Sequence, residues 1–327
     1  MQAIVLVGGM GTRLRPLTET VPKPALTLVD RPFLAYMVEW LAAHGVEEAI
    51  LACGFLPDVL REALAGEEER AGVRIRYVAE PEPLGTAGAI RFAADAVGDE
   101  LDDRFLALNG DVLTDLDLTA LLAAHREWGA RATIALHPVE DSSAYGLVST
   151  APGGEVLEFT EKTGEAVPGK INAGMYVLER SVLDLIPAGR AVSIERDVFP
   201  RLAGAGLHAL RLEGYWMDIG TPERYLRASW DILEGRVETR VEPTAPGVLV
   251  SPSAEVAPSA AVGPRAVVGP GCKVGAGARI AESVLLERAA VGDGARLERT
   301  ILAPGASVAP DAALTDAVAG ADERLPA

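Results

Sequence analysis

Apolar residues follow two alternating patterns in the first 235 residues of the chain. Short apolar runs, each bounded by Gly, Asp or Glu, alternate with segments in which apolar residues recur at helical spacing. The short runs predict strands at residues 3–9, 47–54, 73–80 and 103–111. The longer segments predict helices at residues 33–45, 57–66 and 86–98. This alternation is typical of βαβ units and predicts an α/β fold with a Rossmann-like, doubly wound mixed sheet in which most strands are parallel.

From about residue 245 the apolar pattern has a different period. An aliphatic residue recurs every six positions, and the phase then slips by one residue; the series is Val256, Val262, Val268, Val274, Ile280 and Leu286, then Val291 and Leu297. Small residues lie between them, which is the pattern of hexapeptide repeats. We therefore predict two domains, residues 1–235 and residues 245–320, the second a short left-handed parallel β-helix. The phase slip near residues 282–291 predicts irregular last rungs.

Charge and composition restrict the partners that this chain can have. The chain has 327 residues and a net charge of −17, which argues against a nucleic-acid or anionic-membrane surface. A single pocket on such an acidic protein can still carry positive charge and bind an anion. The sequence contains neither a long uninterrupted apolar stretch nor a leader pattern. Cys53 and Cys272 are far apart and lack metal-ligand spacing, so we expect reduced thiols and a cytoplasmic location.

The segment GGMGTRLRP, residues 8–16, follows the first predicted strand. In doubly wound sheets, ligands bind beyond the carboxyl ends of strands. Glycines can turn backbone N–H groups toward an anion, and Arg13 and Arg15 can add charge-assisted donors. The spacing matches neither a Walker A loop nor a dinucleotide fingerprint. The segment predicts a phosphate site, with a tight strand–helix turn as the alternative.

Further motifs follow this loop in a fixed order. They are PKPAL at 22–26, EPLGTAGAI at 82–90, LNGD at 108–111, FTEK at 159–162, INAG at 171–174 and YWMDIGTPERY at 215–225. Together with the hexapeptide tail, this set resembles the sugar-1-phosphate nucleotidyltransferases over essentially the whole chain. Within that family it is most similar to the mannose-1-phosphate guanylyltransferases.

The resemblance implies a role for each matching residue. The implied catalytic residues are Arg13, Lys23, Asp111 and Asp218. The implied nucleotide-binding residues are Gly8, Gly9, Gly11, Thr12, Arg13, Glu80, Gly85 and Thr86. The implied sugar-phosphate residues are Gly146, Glu161, Lys162 and Asn172. Asp111 and Asp218 are also the implied ligands of Mg²⁺, which takes one or two carboxylates plus substrate phosphates.

The chemistry itself explains why such a site needs cations more than a general base. A sugar phosphate is already ionised at neutral pH, and its oxygen attacks the α-phosphorus of a nucleoside triphosphate as pyrophosphate leaves. Alignment and electrostatic stabilisation therefore supply most of the catalysis.

Glu80 favours guanine among the possible bases. Relatives that use pyrimidine nucleotides commonly carry glutamine at this position, whereas an ionised carboxylate only accepts hydrogen bonds. Guanine presents two adjacent donors to such a group, but uracil and thymine would present carbonyl oxygens. The alternative is that Glu80 faces solvent and that backbone groups of Gly8 and Gly85 read the base.

Three functions remain open from the sequence. The first is transfer from GTP to mannose 1-phosphate by a homo-oligomer assembled through the β-helix. The second uses glucose 1-phosphate with thymidine, uridine or adenosine triphosphate. The third is a non-catalytic paralogue that binds a nucleotide sugar and regulates a partner. The four histidines are expected to be non-catalytic, Trp216 is expected to brace its loop, and Glu195 has no assigned role.

Overall fold

The computed structural model describes residues 1–54, 56–143, 145–160, 164 and 166–326. The chain forms two compact units. The first comprises Met1–Gly9 and Met37–Trp216, and the second comprises Met10–Tyr36 and Met217–Ala327. The second unit thus combines the segment after the first glycines with the C-terminal part of the chain. The predicted domains 1–235 and 245–320 rest on the change in apolar pattern along the sequence, and they remain a prediction.

The first unit is built on a mixed nine-stranded sheet. The strands up to residue 218 are β1 Gln2–Leu6, β2 Thr27–Leu28, β3 Arg31–Pro32, β4 Glu48–Cys53, β5 Arg74–Ala79, β6 Arg104–Asn109, β7 Val112–Thr114, β8 Ala132–Val139, β9 Leu147–Thr150, β10 Val156–Thr160, β11 Gly169–Glu179, β12 Leu207–Arg211 and β13 Trp216–Asp218. Of these, β2 and β3 belong to the second unit, and β13 begins in the first unit and ends in the second. The strands of the nine-stranded sheet pair in the order β10-β9-β11-β6-β1-β4-β5, and β8 joins β11 to β12. Strand β1 is parallel to β4 and β6, whereas β11 is antiparallel to β6 and β8.

All four strands and all three helices predicted from the apolar pattern are present. The four strands are β1, β4, β5 and β6, and β1, β4 and β6 are buried almost throughout because helices cover the sheet. The largest fully buried side chains of this unit include Tyr176, Phe105 and Phe199. The helices are α1 Phe33–Ala43, α2 Pro57–Ala63, α3 Glu67–Ala71, α4 Gly85–Val97, α5 Leu118–Trp128, α6 Phe199–Leu202 and α7 Pro222–Leu233.

The second unit contains the predicted β-helix, formed by three parallel sheets. Two sheets have five strands and the third has four. The strands are β14 Val248–Val250, β15 Glu255–Val256, β16 Ala261–Val262, β17 Ala266–Val268, β18 Lys273–Val274, β19 Arg279–Ala281, β20 Val284–Leu285, β21 Ala290–Val291, β22 Arg296–Glu298, β23 Ile301–Leu302, β24 Ser307–Val308, β25 Ala313–Thr315, β26 Val318–Ala319 and β27 Arg324–Leu325.

The register of these sheets corrects the prediction of irregular last rungs. Val250 pairs with Val268, whereas Val268 pairs with Leu285 and Leu285 with Leu302. The first rung therefore has 18 residues and the later rungs have 17, so one spacing in three is shortened to five. Leu285, not Leu286, continues the stack of aliphatic side chains. The phase slip is a regular feature of the rung.

Opposite charges alternate along one corner of the β-helix. Arg265, Glu282, Arg299 and Asp316 follow one another at the rung spacing, and each has a positive φ between 47° and 55°. Arg265 Nη1 lies 3.1 Å from Glu282 Oε1, and Arg299 Nε lies 2.6 Å from Asp316 Oδ1. We call this column of four residues the charged corner. Its residues adopt the left-handed backbone conformation at successive turns although none of them is glycine.

Among the described residues, no helix combines the length and the apolar character needed to cross a bilayer. Cys53 and Cys272 are both buried and free.

Candidate active site

The glycine loop is divided between the two units. Gly8 packs closely against Gly54 and Glu80 in the first unit: a Cβ atom on Gly8 would lie 3.3 Å from Glu80 Oε1. In the second unit, Gly11 has φ 60° and begins a short helical turn, Thr12–Leu14, and its carbonyl accepts a hydrogen bond from Thr18 Oγ1. A left-handed backbone at Gly11 explains why glycine occupies this position.

The second unit brings three predicted catalytic residues close to one another. Lys23 is buried, and its Nζ lies 3.6 Å from Asp218 Oδ1. The guanidinium of Arg13 lies against Gly220, two residues after Asp218; a Cβ atom on Gly220 would be 2.8 Å from Arg13 Nη2. Arg13 itself is exposed. Lys23 and Asp218 thus form one ion pair, and Arg13 lies beside the loop that follows Asp218.

Arg224 is a residue of this group that sequence reasoning missed. Its Nη1 donates to the backbone oxygen of Asp218 at 3.2 Å and to Asp218 Oδ2 at 3.3 Å. Thr221 caps α7 and Pro222 begins it, so Arg224 lies in the first helical turn and its side chain contacts the preceding loop. The Thr-Pro helix start was the signal that could have suggested this contact.

Asp218 has the character of a metal ligand. Its Oδ1 is buried and, among the described residues, has no hydrogen-bond partner, although it pairs with Lys23. A buried carboxylate oxygen of this kind is a hard donor that suits Mg²⁺. Asp111 follows β6 in the first unit and is half-buried. The described residues contain no cluster of three or more His, Cys, Asp or Glu side chains suited to a metal.

The tight turn before Asp111 depends on Gly110. A Cβ atom at Gly110 would lie 2.5 Å from a methyl group of Val7 and 2.9 Å from the carbonyl oxygen of Leu6. Gly110 N also donates to that carbonyl at 2.9 Å. The end of β6 is therefore held directly against the end of β1, and Asp111 begins the next segment from this fixed position.

A cavity of about 550 Å³ opens in the first unit. Four predicted residues line it: Gly85 and Thr86 from the predicted nucleotide set, and Gly146 and Asn172 from the predicted sugar set. The complete lining is Gly85, Thr86, Tyr145, Gly146, Phe159, Asn172, Ala191, Val192, Ser193, Glu195, Arg196 and Asp197. Residues 191–197 form one wall, which includes Glu195, the residue to which sequence reasoning assigned no role.

The start of α4 is fixed tightly to this wall. Gly85 has φ 68°, and a Cβ atom there would lie 2.8 Å from the carbonyl oxygen of Val192. Ala87 N donates to that oxygen at 2.9 Å, and Val192 N donates to the carbonyl of Leu84 at 2.9 Å. The motif PLGTAG thus positions residues 190–197 as well as its own helix.

Asn172 is held in place on the opposite strand β11. Its Oδ1 accepts from Gly174 N at 2.9 Å, and its Nδ2 donates to the hydroxyl of Tyr176 at 2.9 Å. Trp216 Nε1 donates to the carbonyl of Ala173 at 2.9 Å, and the Trp216 ring packs edge-on against Tyr145. Trp216 therefore braces the cavity wall.

Glu80 lies beside Gly8 and is half-buried. Its Oε2 accepts a hydrogen bond from Leu84 N at 3.2 Å. Burial raises the pKa of this carboxyl above its usual value, and the bond from Leu84 N opposes the increase. Glu161 and Lys162 lie outside the described residues, and their predicted contacts with the sugar phosphate remain a prediction.

The histidines contact structural partners. His125 is buried between Thr133 Oγ1 and Glu179 Oε1, and burial lowers its pKa. His137 and His208 stack on Trp216 and Trp128, respectively.

Two family models match this chain. The model described as Nucleotidyl transferase matches residues 2–235, and the model described as GMPPB C-terminal domain matches residues 244–325.

The chain is also similar to curated proteins from fungi and a bacterium. A mannose-1-phosphate guanyltransferase from Schizosaccharomyces pombe is 42% identical over 264 residues, covering 78% of this chain and 72% of that protein. A mannose-1-phosphate guanylyltransferase from Mycobacterium tuberculosis is 44% identical over 238 residues, covering 72% of this chain and 65% of that protein. A mannose-1-phosphate guanyltransferase from Aspergillus fumigatus is 43% identical over 303 residues, covering 89% of this chain and 83% of that protein.

Among solved structures, the chain resembles HddC from Yersinia pseudotuberculosis. The TM-score is 0.62 at 28% identity, covering 71% of this chain and 99% of HddC. A second structure of HddC, complexed with GMP-PN, gives a TM-score of 0.61 at the same identity and coverage.

Proposed function

Because the chain belongs to the nucleotidyl transferase family, we propose that it transfers a guanylyl group from GTP to mannose 1-phosphate, forming GDP-mannose and pyrophosphate. The observation that carries the proposal is the identity of 42–44% to three proteins named as transferases of this specificity. The similarity to HddC, which has been solved with GMP-PN, supports a guanine nucleotide as the donor.

The proposed reaction needs two polyanions to meet, and the cations of the second unit suit that need. Arg13 would stabilise charge on the α-phosphate and on the departing pyrophosphate, and Lys23 would hold the phosphates of the opposite substrate. Lys23 is buried and paired with Asp218, which keeps its ammonium group in one place before substrates bind. Gly8, Gly9, Gly11 and Thr12 would add loop N–H donors to the triphosphate.

We assign Mg²⁺ to Asp111 and Asp218. The ion, when bound, would neutralise phosphate charge and orient the α-phosphoryl group for in-line attack. Arg224 bonds Oδ2 of Asp218, whereas Oδ1 has no hydrogen-bond partner among the described residues, so Oδ1 would bind the ion. No general base is required, since the attacking phosphate oxygen is already ionised.

The sugar would occupy the cavity of the first unit. Gly146 and Asn172 line it, and Glu161 and Lys162 follow Phe159, another lining residue, along the chain. Glu80 lies beside Gly8 and would accept both donors of the guanine edge. We further propose a homo-oligomer assembled through the β-helix and a cytoplasmic location.

Pyrophosphate release tests the proposal directly. Purified protein is assayed with Mg²⁺ while mannose and glucose 1-phosphate are each combined with GTP, dTTP, UTP and ATP. We expect turnover with GTP and mannose 1-phosphate at least about tenfold above every other pair. Turnover with a pyrimidine nucleotide would refute the assigned base. Binding of GDP-mannose without turnover of any pair would favour the regulatory function.

A further inference from the structure

One carboxylate in the cavity wall has no role in the proposed reaction. Glu195 lies in a single helical turn, Ile194–Val198, and its side chain lines the cavity beside Thr86 and Asn172. These two neighbours come from the predicted nucleotide set and the predicted sugar set, respectively. Glu195 therefore lies where the two predicted sets meet.

One oxygen of this carboxylate is fixed by two hydroxyl donors. Thr86 Oγ1 donates to Glu195 Oε2 at 3.0 Å, and Ser193 Oγ donates to the same atom at 2.7 Å. Ile194 N donates to Thr86 Oγ1 at 2.8 Å, so the threonine hydroxyl is itself oriented. Two short bonds on Oε2 hold the carboxylate in one rotamer.

The other oxygen has capacity for a further donor. The hydroxyl of Tyr176 is 3.4 Å from Glu195 Oε1 and also accepts from Asn172 Nδ2 at 2.9 Å. The Tyr176 side chain is fully buried and cannot move toward Glu195 without disturbing the core. Among the described residues, Tyr176 makes the one contact with Oε1, and a carboxylate oxygen accepts two hydrogen bonds, so Oε1 can accept another.

We propose that Glu195 determines sugar specificity by accepting a hydrogen bond from one ring hydroxyl of the hexose 1-phosphate. A hydroxyl is a donor and suits a fixed carboxylate, whereas the phosphate is repelled and would lie at the far end of the sugar. Gly146 and Asn172 line the same cavity, and Glu80, the proposed base reader, does not. This inference rests on the proposed function, because it assumes that a hexose 1-phosphate occupies this cavity.

A double-mutant cycle between protein and substrate tests the contact. Wild type and Glu195→Gln are compared with mannose 1-phosphate and its 2-, 3-, 4- and 6-deoxy analogues, using kcat/KM with GTP and calorimetric Kd. For one analogue we expect wild type to lose about 10- to 100-fold and Glu195→Gln to lose less than about threefold. For the other three analogues, both proteins should lose equal factors.

Glu158→Gln is the matched control. Glu158 is exposed and precedes the lining residue Phe159, so its variant should give the wild-type pattern with every analogue. If Glu195→Gln does not fold, as judged by circular dichroism, Glu195→Asp replaces it; this variant keeps the charge but withdraws the carboxylate by one methylene group. It should show the same single coupled hydroxyl with a smaller factor.

Failure of the inference can be separated from failure of the proposed function. If wild type does not turn over mannose 1-phosphate with GTP, the proposed function fails, and the calorimetric cycle still tests Glu195. Coupling to one hydroxyl in Kd then supports the inference. Equal losses for all four analogues, or no binding of the hexose 1-phosphate, would overturn it.

Discussion

At the scale of single residues, the site depends on charged groups whose partners are also charged or strongly polar. Asp218 pairs with Lys23 through one oxygen and with Arg224 through the other. Glu80 accepts a backbone hydrogen bond at the edge of the glycine loop. Leaving a buried charged group without a partner costs free energy. Removing one of these side chains should therefore weaken the binding of the substrate group that pairs with it.

Replacing Glu80 with glutamine should alter base preference. An amide offers one donor and one acceptor, which suits uracil or thymine better than the two guanine donors. We expect Glu80→Gln to lower kcat/KM for GTP by about 10- to 100-fold and to raise that for UTP or dTTP. Exposed Glu82 is the control, and Glu82→Gln should behave as wild type. An unchanged GTP preference in Glu80→Gln would exclude Glu80 as the base reader.

The pH dependence of GTP binding should report the raised pKa of Glu80. As pH falls through this pKa, the carboxyl becomes neutral and can no longer accept both guanine donors. The KM for GTP should therefore increase on acidification, beginning above the usual range for a glutamate. Steady-state kinetics of wild type and Glu80→Gln are compared so that titration of the nucleotide itself cancels. Identical pH profiles for the two proteins would contradict the prediction.

Asp218→Asn should separate catalysis from folding. The variant removes the negative charge that Lys23 and Arg224 contact and one proposed ligand of Mg²⁺. We expect kcat to fall by at least about 100-fold and the Mg²⁺ concentration for half-maximal rate to rise. Glu223→Gln, an exposed change in the same first turn of α7, should stay within about twofold of wild type. A wild-type response to Mg²⁺ in Asp218→Asn would remove Asp218 from the metal site.

At the scale of elements, the contact between α4 and residues 190–192 joins the two predicted substrate regions. Helix α4 begins at Gly85 in PLGTAG, and residues 191–197 form one wall of the cavity. Three backbone hydrogen bonds connect them, with Val192 at the centre. The helix can approach this closely only because Gly88 lacks a side chain: a Cβ atom there would lie 2.5 Å from the carbonyl oxygen of Arg190.

Gly88→Ala should therefore destabilise the protein although alanine favours helices. Forcing the two segments apart should cost about 1–3 kcal/mol, against a gain of about 1 kcal/mol in helix propensity. Displacement of the wall should also raise the KM for the hexose 1-phosphate. Thermal unfolding and substrate kinetics check the two effects. Ala96→Gly, at an exposed position of the same helix, should lower Tm without changing this KM.

At the scale of the whole molecule, the charged corner extends to the helix that follows Asp218. Arg265 Nε lies 2.6 Å from Glu234 Oε1, just beyond α7, and the Arg265 guanidinium is 5.5 Å from the centre of the Trp230 ring. Arg265 also contacts Glu282 in the next rung. One side chain thus connects the end of α7 to two successive rungs.

Arg265→Ala should lower Tm by roughly 2–4 °C, because it removes the ion pairs and the contact with the Trp230 ring together. Arg288→Ala is the matched control: Arg288 is also a left-handed corner residue, but it pairs with its neighbour Glu287. Its Tm should change by less than about 1 °C. Equal changes in both variants, measured by calorimetry, would show that the contact with α7 is not stabilising.

Local sequence patterns predicted the secondary-structure elements and the family. Apolar periodicity depends only on neighbouring residues, so strands β1, β4, β5 and β6, three helices and the β-helix were all readable from it. The ordered motifs from GGMGTR to YWMDIGTPERY identified the nucleotidyl transferase family for the same reason. Lys23, which the motif PKPAL placed among the implied catalytic residues, is buried.

Which distant residues meet depends on how the elements pack against one another. Arg224 at Asp218, Glu195 between Thr86 and Tyr176, and Gly88 at Arg190 are contacts whose geometry depends on how separate elements pack. The rung length was decided in the same way: the pairing of Val268 with Leu285 and of Leu285 with Leu302 sets 17 residues for the later rungs, after a first rung of 18. Local pattern shows that the phase slips but not which strands pair, because packing free energy is gained only when elements far apart in sequence come together.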